Sequence, residues 1–212
     1  NIGRRNIMAS TRALRGFLPA RKKGQNYNTG GTTTHISPTT ITRAPKKLYT
    51  GDLICIEASG TISESIGATL KPSGVFMGCN YVDSDGSQKF SRYWPGEAIT
   101  AATSIEFHVI TDPDQTYYIQ GNATCSHGET CKVLNYIATV STASAGSTKT
   151  GQSAFFVETS AAGLETIVGN VRVLGYSKDP GEGADGLDQY PVLEVWLPTH
   201  RDRFTTTTVS TA

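Results

Sequence analysis

Cys125-Ser-His127-Gly-Glu129-Thr-Cys131 gathers two thiols, an imidazole and a carboxylate within a short run. These are the ligand types that hold zinc, as thiolate, neutral imidazole and carboxylate. Five residues separate the two cysteines, whereas the paired cysteines of structural zinc sites are usually roughly two to four residues apart. No second Cys/His pair lies nearby in sequence, and Cys55 and Cys79 fall in runs that read as buried strands. The run therefore reads as a hairpin tip or surface loop with free thiols, or with a local disulfide in an oxidising medium. No metal and no cofactor are expected.

Other candidates for chemistry are weaker. His108 sits in an alternating strand, opposite its apolar face. His200 precedes Asp202 in PTHRDRF and reads as a solvated tail residue, and His35 lies in a polar stretch. Asp112 and Asp114 resemble a carboxylate pair, but they flank Pro113, where turn formation explains them better. There is no Gly-x-Ser-x-Gly elbow, phosphate loop or dinucleotide fingerprint. The acidic run DPGEGADGLDQ lacks the spacing of a calcium hand. An enzyme is not expected.

The elements that would position such residues are strands. In residues 104–122, Ile105, Phe107 and Val109 alternate with Glu106, His108 and Ile110. Asp112-Pro113-Asp114 supplies a turn, and Tyr117 and Ile119 then share one face. The expected structure is a central β-hairpin. Residues 74–82 and 88–94 alternate around Asp85-Gly86, the strongest short-range hairpin signal. Further strands are expected at 52–57, 69–71, 133–140, 154–158, 168–176 and 192–197, with loops at 58–68, 141–152 and 177–190. No long amphipathic helix is visible, so the fold class is mainly β, a barrel or sandwich. Trp94, Phe107, Val109, Val171 and Trp196 are the core candidates, in one core.

Charge divides the chain. Residues 1–50 hold ten Lys/Arg and no Asp or Glu; the rest hold nine Lys/Arg and all 18 Asp/Glu, so 9 − 18 gives −9. The expected organisation is an extended basic N-terminal arm (1–46), a β body (47–204) and a polar tail (205–212), with the body folding alone. Arg12, Arg15, Phe17, Leu18, Arg21, Lys22, Lys23 and Tyr27 are the arm's candidate contacts, its cations setting register and its apolar side chains filling pockets on a partner. No run of about 18 apolar residues exists to span a membrane. No signal-peptide core is visible at the N-terminus, so reduced thiols are expected.

Four stretches, in this order, carry a resemblance: RGFLPARKKGQNYN (15–28), GVFMGCNYVDSDGSQKFSRYWP (74–95), the strand–Asp-Pro–strand unit closing on Ile119-Gln120, and GNVRVLGY (169–176). Together they resemble the capsid cement, or decoration, proteins of tailed-bacteriophage heads. The resemblance implies a structural virion protein, made in the host cytoplasm, that binds the major capsid protein on the outer shell. It also implies a homo-oligomer, a trimer being expected and a dimer the alternative. Apolar residues on both faces of the 74–82 strand point the same way. Two other readings remain: a nucleic-acid-binding virion protein using the basic arm, and a metal or cysteine enzyme.

Overall fold

The structure, a computed structural model, describes residues 13–24, 47–56, 62–64, 71–96, 103–123, 146–159, 171–177 and 190–202, and the backbone of 33–36, 135–136 and 138–140. A five-stranded sheet runs in the order β1 (Leu18–Lys22), β10 (Gln115–Gln120), β17 (Val192–Trp196), β16 (Val171–Tyr176) and β11 (Asn135–Tyr136). A six-stranded sheet runs β2 (Thr33–Ile36), β9 (Thr103–Ile110), β6 (Gly74–Val82), β4 (Leu53–Ile56) and β5 (Ile62–Glu64), with β7 (Gln88–Ser91) also on β6. Three short pairs complete the fold: β3 (Leu48–Tyr49) with β8 (Tyr93–Trp94), β12 (Ala138–Val140) with β15 (Phe155–Val157), and β13 (Gly146–Ser147) with β14 (Gln152–Ser153). The mainly β class holds, and no closed barrel forms among the described residues.

Alternation decides which side chains go inward. Ile105, Phe107 and Val109 are buried while Glu106 and His108 are half-buried, as a period of two requires. Val171 and Val173 point inward from β16, and Leu193 and Val195 from β17. The core candidates Trp94, Phe107, Val109, Val171 and Trp196 are all buried. Among the described residues, however, there are two apolar clusters, not one. Leu53, Val75 and Ile110 join Tyr117, Ile119, Phe155, Val195 and others between the two large sheets. Their chain neighbours Ile54, Phe76 and Val109 join Leu48, Trp94 and Phe107 in the second cluster. The strands of the six-stranded sheet are therefore apolar on both faces because both faces are covered within this chain. That removes the strand pattern as an argument for self-association.

A bulge keeps β6 in step with its neighbours. Phe76 pairs with Val109, but Gly78 pairs with His108, so one extra residue sits between them. Phe76 before the bulge and Cys79 and Tyr81 after it consequently reach the same cluster. Trp94 is seated there edge-on to both Tyr81 and Phe107, with ring centroids 5.4 Å apart in each case.

The expected hairpin at Asp85-Gly86 forms, pairing Val82 with Gln88 through Cys79 with Ser91. Its return strand then splits, and β8 leaves to pair with β3. The expected hairpin at Asp112-Pro113-Asp114 does not form. The turn itself is there: Asp114 N–H donates to Asp112 Oδ1 at 2.9 Å, and Gln115 N–H to Asp112 O at 3.2 Å. But β9 lies between β2 and β6, so both its edges are taken, and β10 crosses to the other sheet. Residues 111–114 are a corner joining the two sheets.

The boundary at 46/47 does not follow the pairing either. Strand β1 adds to the edge of the five-stranded sheet, and β2 adds to the edge of the six-stranded one. Residues 62–64, 146–147 and 152, read as loop, belong to strands, because such short pairing needs little apolar content when one side faces water. At 69–71 no strand is described; 69 and 70 lie outside the described residues.

Phe17, completely buried just before β1, packs edge-on to Tyr117 at 5.7 Å and against Phe155 at 6.1 Å. The body therefore does not end at residue 47. Phe17→Ala should cost about 3–5 kcal/mol, the usual toll for emptying a large aromatic site in a core. Urea unfolding checks this; an unchanged midpoint would mean that Phe17 is not part of the core.

Candidate interaction surface at the N-terminal strand

The segment Leu18–Lys22 suits an edge. Pro19 has no N–H to give a second neighbour, which confines it to the rim of a sheet. Leu18 pairs with Tyr118 and Pro19 with Tyr117, and an irregularity follows before Lys22 meets Gln115. Lys23 N–H donates to Asp114 O at 2.8 Å, and Ala13 N–H to Gln120 Oε1 at 2.9 Å. The segment is thus tied at both ends.

Its cations are tied as well. Arg21 meets Glu194 through two parallel bonds, Nε to Oε1 at 2.7 Å and Nη2 to Oε2 at 2.9 Å. The Glu194 side chain is only 7% exposed, against 42% for Arg21. A buried carboxylate needs such a partner, and the guanidinium fork matches its geometry. The hydrogen bond that Arg21 donates to Glu194 stabilises the charged form of Arg21 and raises its pKa. Thr116 Oγ1 lies 2.7 Å from Arg21 O and 3.1 Å from Glu194 Oε1, so hydroxyl, ion pair and strand edge form one network.

Lys22 Nζ lies 2.5 Å from Asp112 Oδ2 at the corner between the sheets. That hydrogen bond raises the lysine's pKa and lowers the aspartate's. Lys23 Nζ stands 3.7 Å from the centre of the Trp196 ring, a cation–π contact. Trp196 Nε1 donates to Pro113 O at 2.9 Å. Trp196 is therefore buried on the outer face of its sheet, under Lys23, and belongs to neither apolar cluster.

These observations correct the candidate contacts. Phe17 fills a pocket in its own chain rather than in a partner. Arg21, Lys22 and Lys23 are engaged by Glu194, Asp112 and Trp196. Leu18 is half-buried and Arg15 is exposed. Arg12 and Tyr27 lie outside the described residues, as do Cys125, His127, Glu129 and Cys131. His200 is not a solvated tail residue: it is 2% exposed, and Asp202 N–H donates to its Nδ1 at 3.2 Å. It is buried because Arg201 anchors this turn to the body, its N–H donating to Pro72 O at 2.9 Å and its guanidinium to Ile56 O. His108 is half-buried opposite the apolar face. The backbone of His35, on β2, pairs with Phe107 on β9.

A second polar centre, with no motif to announce it, lies where residues 49–52 turn into β4. Asp52 is fully buried; its Oδ2 accepts Tyr49 N–H at 2.6 Å, and its Oδ1 has no hydrogen-bond partner among the described residues. Burial pushes its pKa up to about 7, against the opposing pull of the Ser153 hydroxyl and the Tyr49 amide. The backbone here binds four other segments. Gly51 O accepts Phe17 N–H at 2.9 Å, and Phe76 N–H donates to Asp52 O at 2.9 Å. Thr50 N–H reaches both Arg92 O and Gly151 O. Only the Gly-Asp pair before an apolar run hinted at this turn.

Among the described residues no group of three or more His, Cys, Asp and Glu is placed to hold a metal ion, and no helix is long and apolar enough to cross a membrane. Burial pushes the Cys79 thiol up to about 12, far from a reactive thiolate. Compared with models of protein families, with curated proteins and with solved structures, the chain matches none.

Replacing Arg21 by Ala would leave the Glu194 carboxylate buried without its fork. Since Arg21 is 42% exposed, solvent softens the loss to about 1–3 kcal/mol. Adding Glu194→Gln should recover part of it in urea unfolding. The Lys22–Asp112 pair should show in acid. Asp112 is depressed in the fold, so its stabilisation is present above the ordinary Asp value of 3.8 and is lost as pH falls through its lower folded value. Lys22→Met should flatten that acid limb, as followed by circular dichroism.

Proposed function

We propose that this chain is a structural, non-enzymatic virion protein. In this reading its β body sits on the outer surface of a bacteriophage capsid and cements neighbouring major capsid protein subunits. The observation that carries the reading is the way the basic N-terminal segment joins a net acidic β body by adding strands at the edges of both sheets. Edge addition is a main-chain mode of attachment that tolerates varied side chains, and proteins use it to join separate chains. The four motifs that resemble head decoration proteins support it independently. A homo-oligomer, with a trimer expected, rests on that resemblance.

The contacts assigned to the shell change with the structure. Phe17, Arg21, Lys22 and Lys23 serve the body, so the attachment falls to the basic residues before residue 16 and to side chains that face water. Arg15 is exposed, and Phe90 on β7 is 72% exposed, a large apolar side chain that the fold leaves in solvent. An exposed ion pair is worth only about 0–1 kcal/mol, so an apolar contact has to accompany the charges.

The competing nucleic-acid reading has three fewer cations to offer than the sequence suggests, because Arg21, Lys22 and Lys23 are held within the chain. Mixing the intact protein with undecorated heads of the phage that encodes it separates the two. Saturable binding to heads is expected, with occupancy lowered by Arg12→Glu with Arg15→Glu, lowered further by Phe90→Ser, and only partly lowered by salt. Absence from heads, with DNA binding that falls log-linearly with salt, would replace this reading by the other.

A further inference from the structure

We propose that the Asp52 carboxyl is a proton-operated latch that holds the N-terminal segment, residues 13–24, on the body and loosens it when the proton leaves. The inference goes beyond the capsid reading and does not depend on it.

The geometry is a direct mechanical link. Gly16 and Gly51 pack backbone to backbone, with φ of +68° and +95°. A Cβ on Gly16 would stand 2.6 Å from Gly51 O and 2.6 Å from Ser153 Cβ, and one on Gly51 would stand 2.8 Å from Arg15 O. Only glycine at both positions permits this approach. Phe17 N–H donates to Gly51 O across it. The residue next to Gly51 is Asp52, and the groups facing its carboxyl are the Tyr49 amide and the Ser153 hydroxyl. Ser153 N–H in turn donates to Thr50 O at 3.0 Å. The residues that clasp Gly16 are thus the residues that surround the carboxyl.

Charge placed there has poor support. Oδ1 is buried without a hydrogen-bond partner among the described residues. Glu64 on β5 adds like charge, and Tyr49, itself raised by burial and beside Tyr93, supplies no cation. Arg15 and Arg92, on the adjoining segments, have exposed side chains. Ionised Asp52 therefore gains by reaching water. The motion that admits water separates the 49–52 turn from Ser153 and Gly16, which releases Phe17 and β1. The carboxyl is protonated in the closed form up to about pH 7 and is ionised in the open form above the ordinary value of 3.8. Raising pH between those values favours opening, by up to about tenfold per unit; above about 7 the effect levels off.

Hydrogen exchange of the intact chain from pH 4.5 to 8.5, corrected for intrinsic base catalysis, reads this directly. Protection of the Phe17 amide and of the β1 pairing should fall by up to about tenfold per pH unit and then level off. Protection in β16 and β17 should change far less. Asp52→Asn should remove the pH dependence. Ser153→Ala removes a group that favours the ionised form, so it should move the levelling-off to higher pH, and it keeps the proposal testable if Asp52→Asn fails to fold. Wild-type protection independent of pH, a dependence retained in Asp52→Asn, or equal loss in every strand would overturn the latch.

Discussion

Burial of Phe17 between the two large sheets is the contact on which the rest of this structure depends. Its ring lies against Tyr117 of the five-stranded sheet and Phe155 of β15, in the cluster that also takes Leu53 and Val75 from the six-stranded sheet. Burying such a side chain contributes about 1.5–3 kcal/mol from transfer alone. It also requires the chain to enter past Gly51 at a distance that side chains forbid. The N-terminal segment is therefore committed before its first hydrogen bond in β1. The edge of the five-stranded sheet, the 49–52 turn and the β14 strand are organised around that entry.

Once the segment is in place, its charges meet opposite partners on the body. Arg21 finds Glu194 and Lys22 finds Asp112. Part of the charge asymmetry between the first 50 residues and the rest is thus resolved inside the molecule, at the seam between strand and body. This changes what the asymmetry says about partners. A basic segment that pairs with its own body presents less free charge to any partner.

The sequence made one level of this structure legible and left the next obscure. Alternation placed Phe107, Val109 and Val171 inside correctly, because the pleat of a strand sets its period whatever its neighbours are. Asp85-Gly86 was a readable hairpin for the same local reason. Which strand pairs with which is not local. Asp112-Pro113-Asp114 makes the expected turn, yet the edges of β9 are already filled, so the turn becomes a corner between sheets. Trp196 shows a related limit: a large aromatic at an alternating position is buried, but by Lys23 on the outer face rather than by the core. For the N-terminal segment, charge composition outweighed the FLP run that places an aromatic and an edge-strand proline side by side. Asp52 had no spacing or partner in sequence to mark it. Its character comes from burial, with Ser153 and Glu64 brought to the carboxyl from distant segments.

The central claim is that the basic N-terminal segment is an integral part of the β body in the free protein. Ring-to-ring proton contacts measured by NMR on protein labelled at Phe and Tyr test it most directly. Contacts from Phe17 to both Tyr117 and Phe155 in the isolated chain, in aromatic signals that disperse and melt with the body, are the predicted result. A Phe17 ring with random-coil shifts and no contact to either residue, in a body that is otherwise folded, would contradict it.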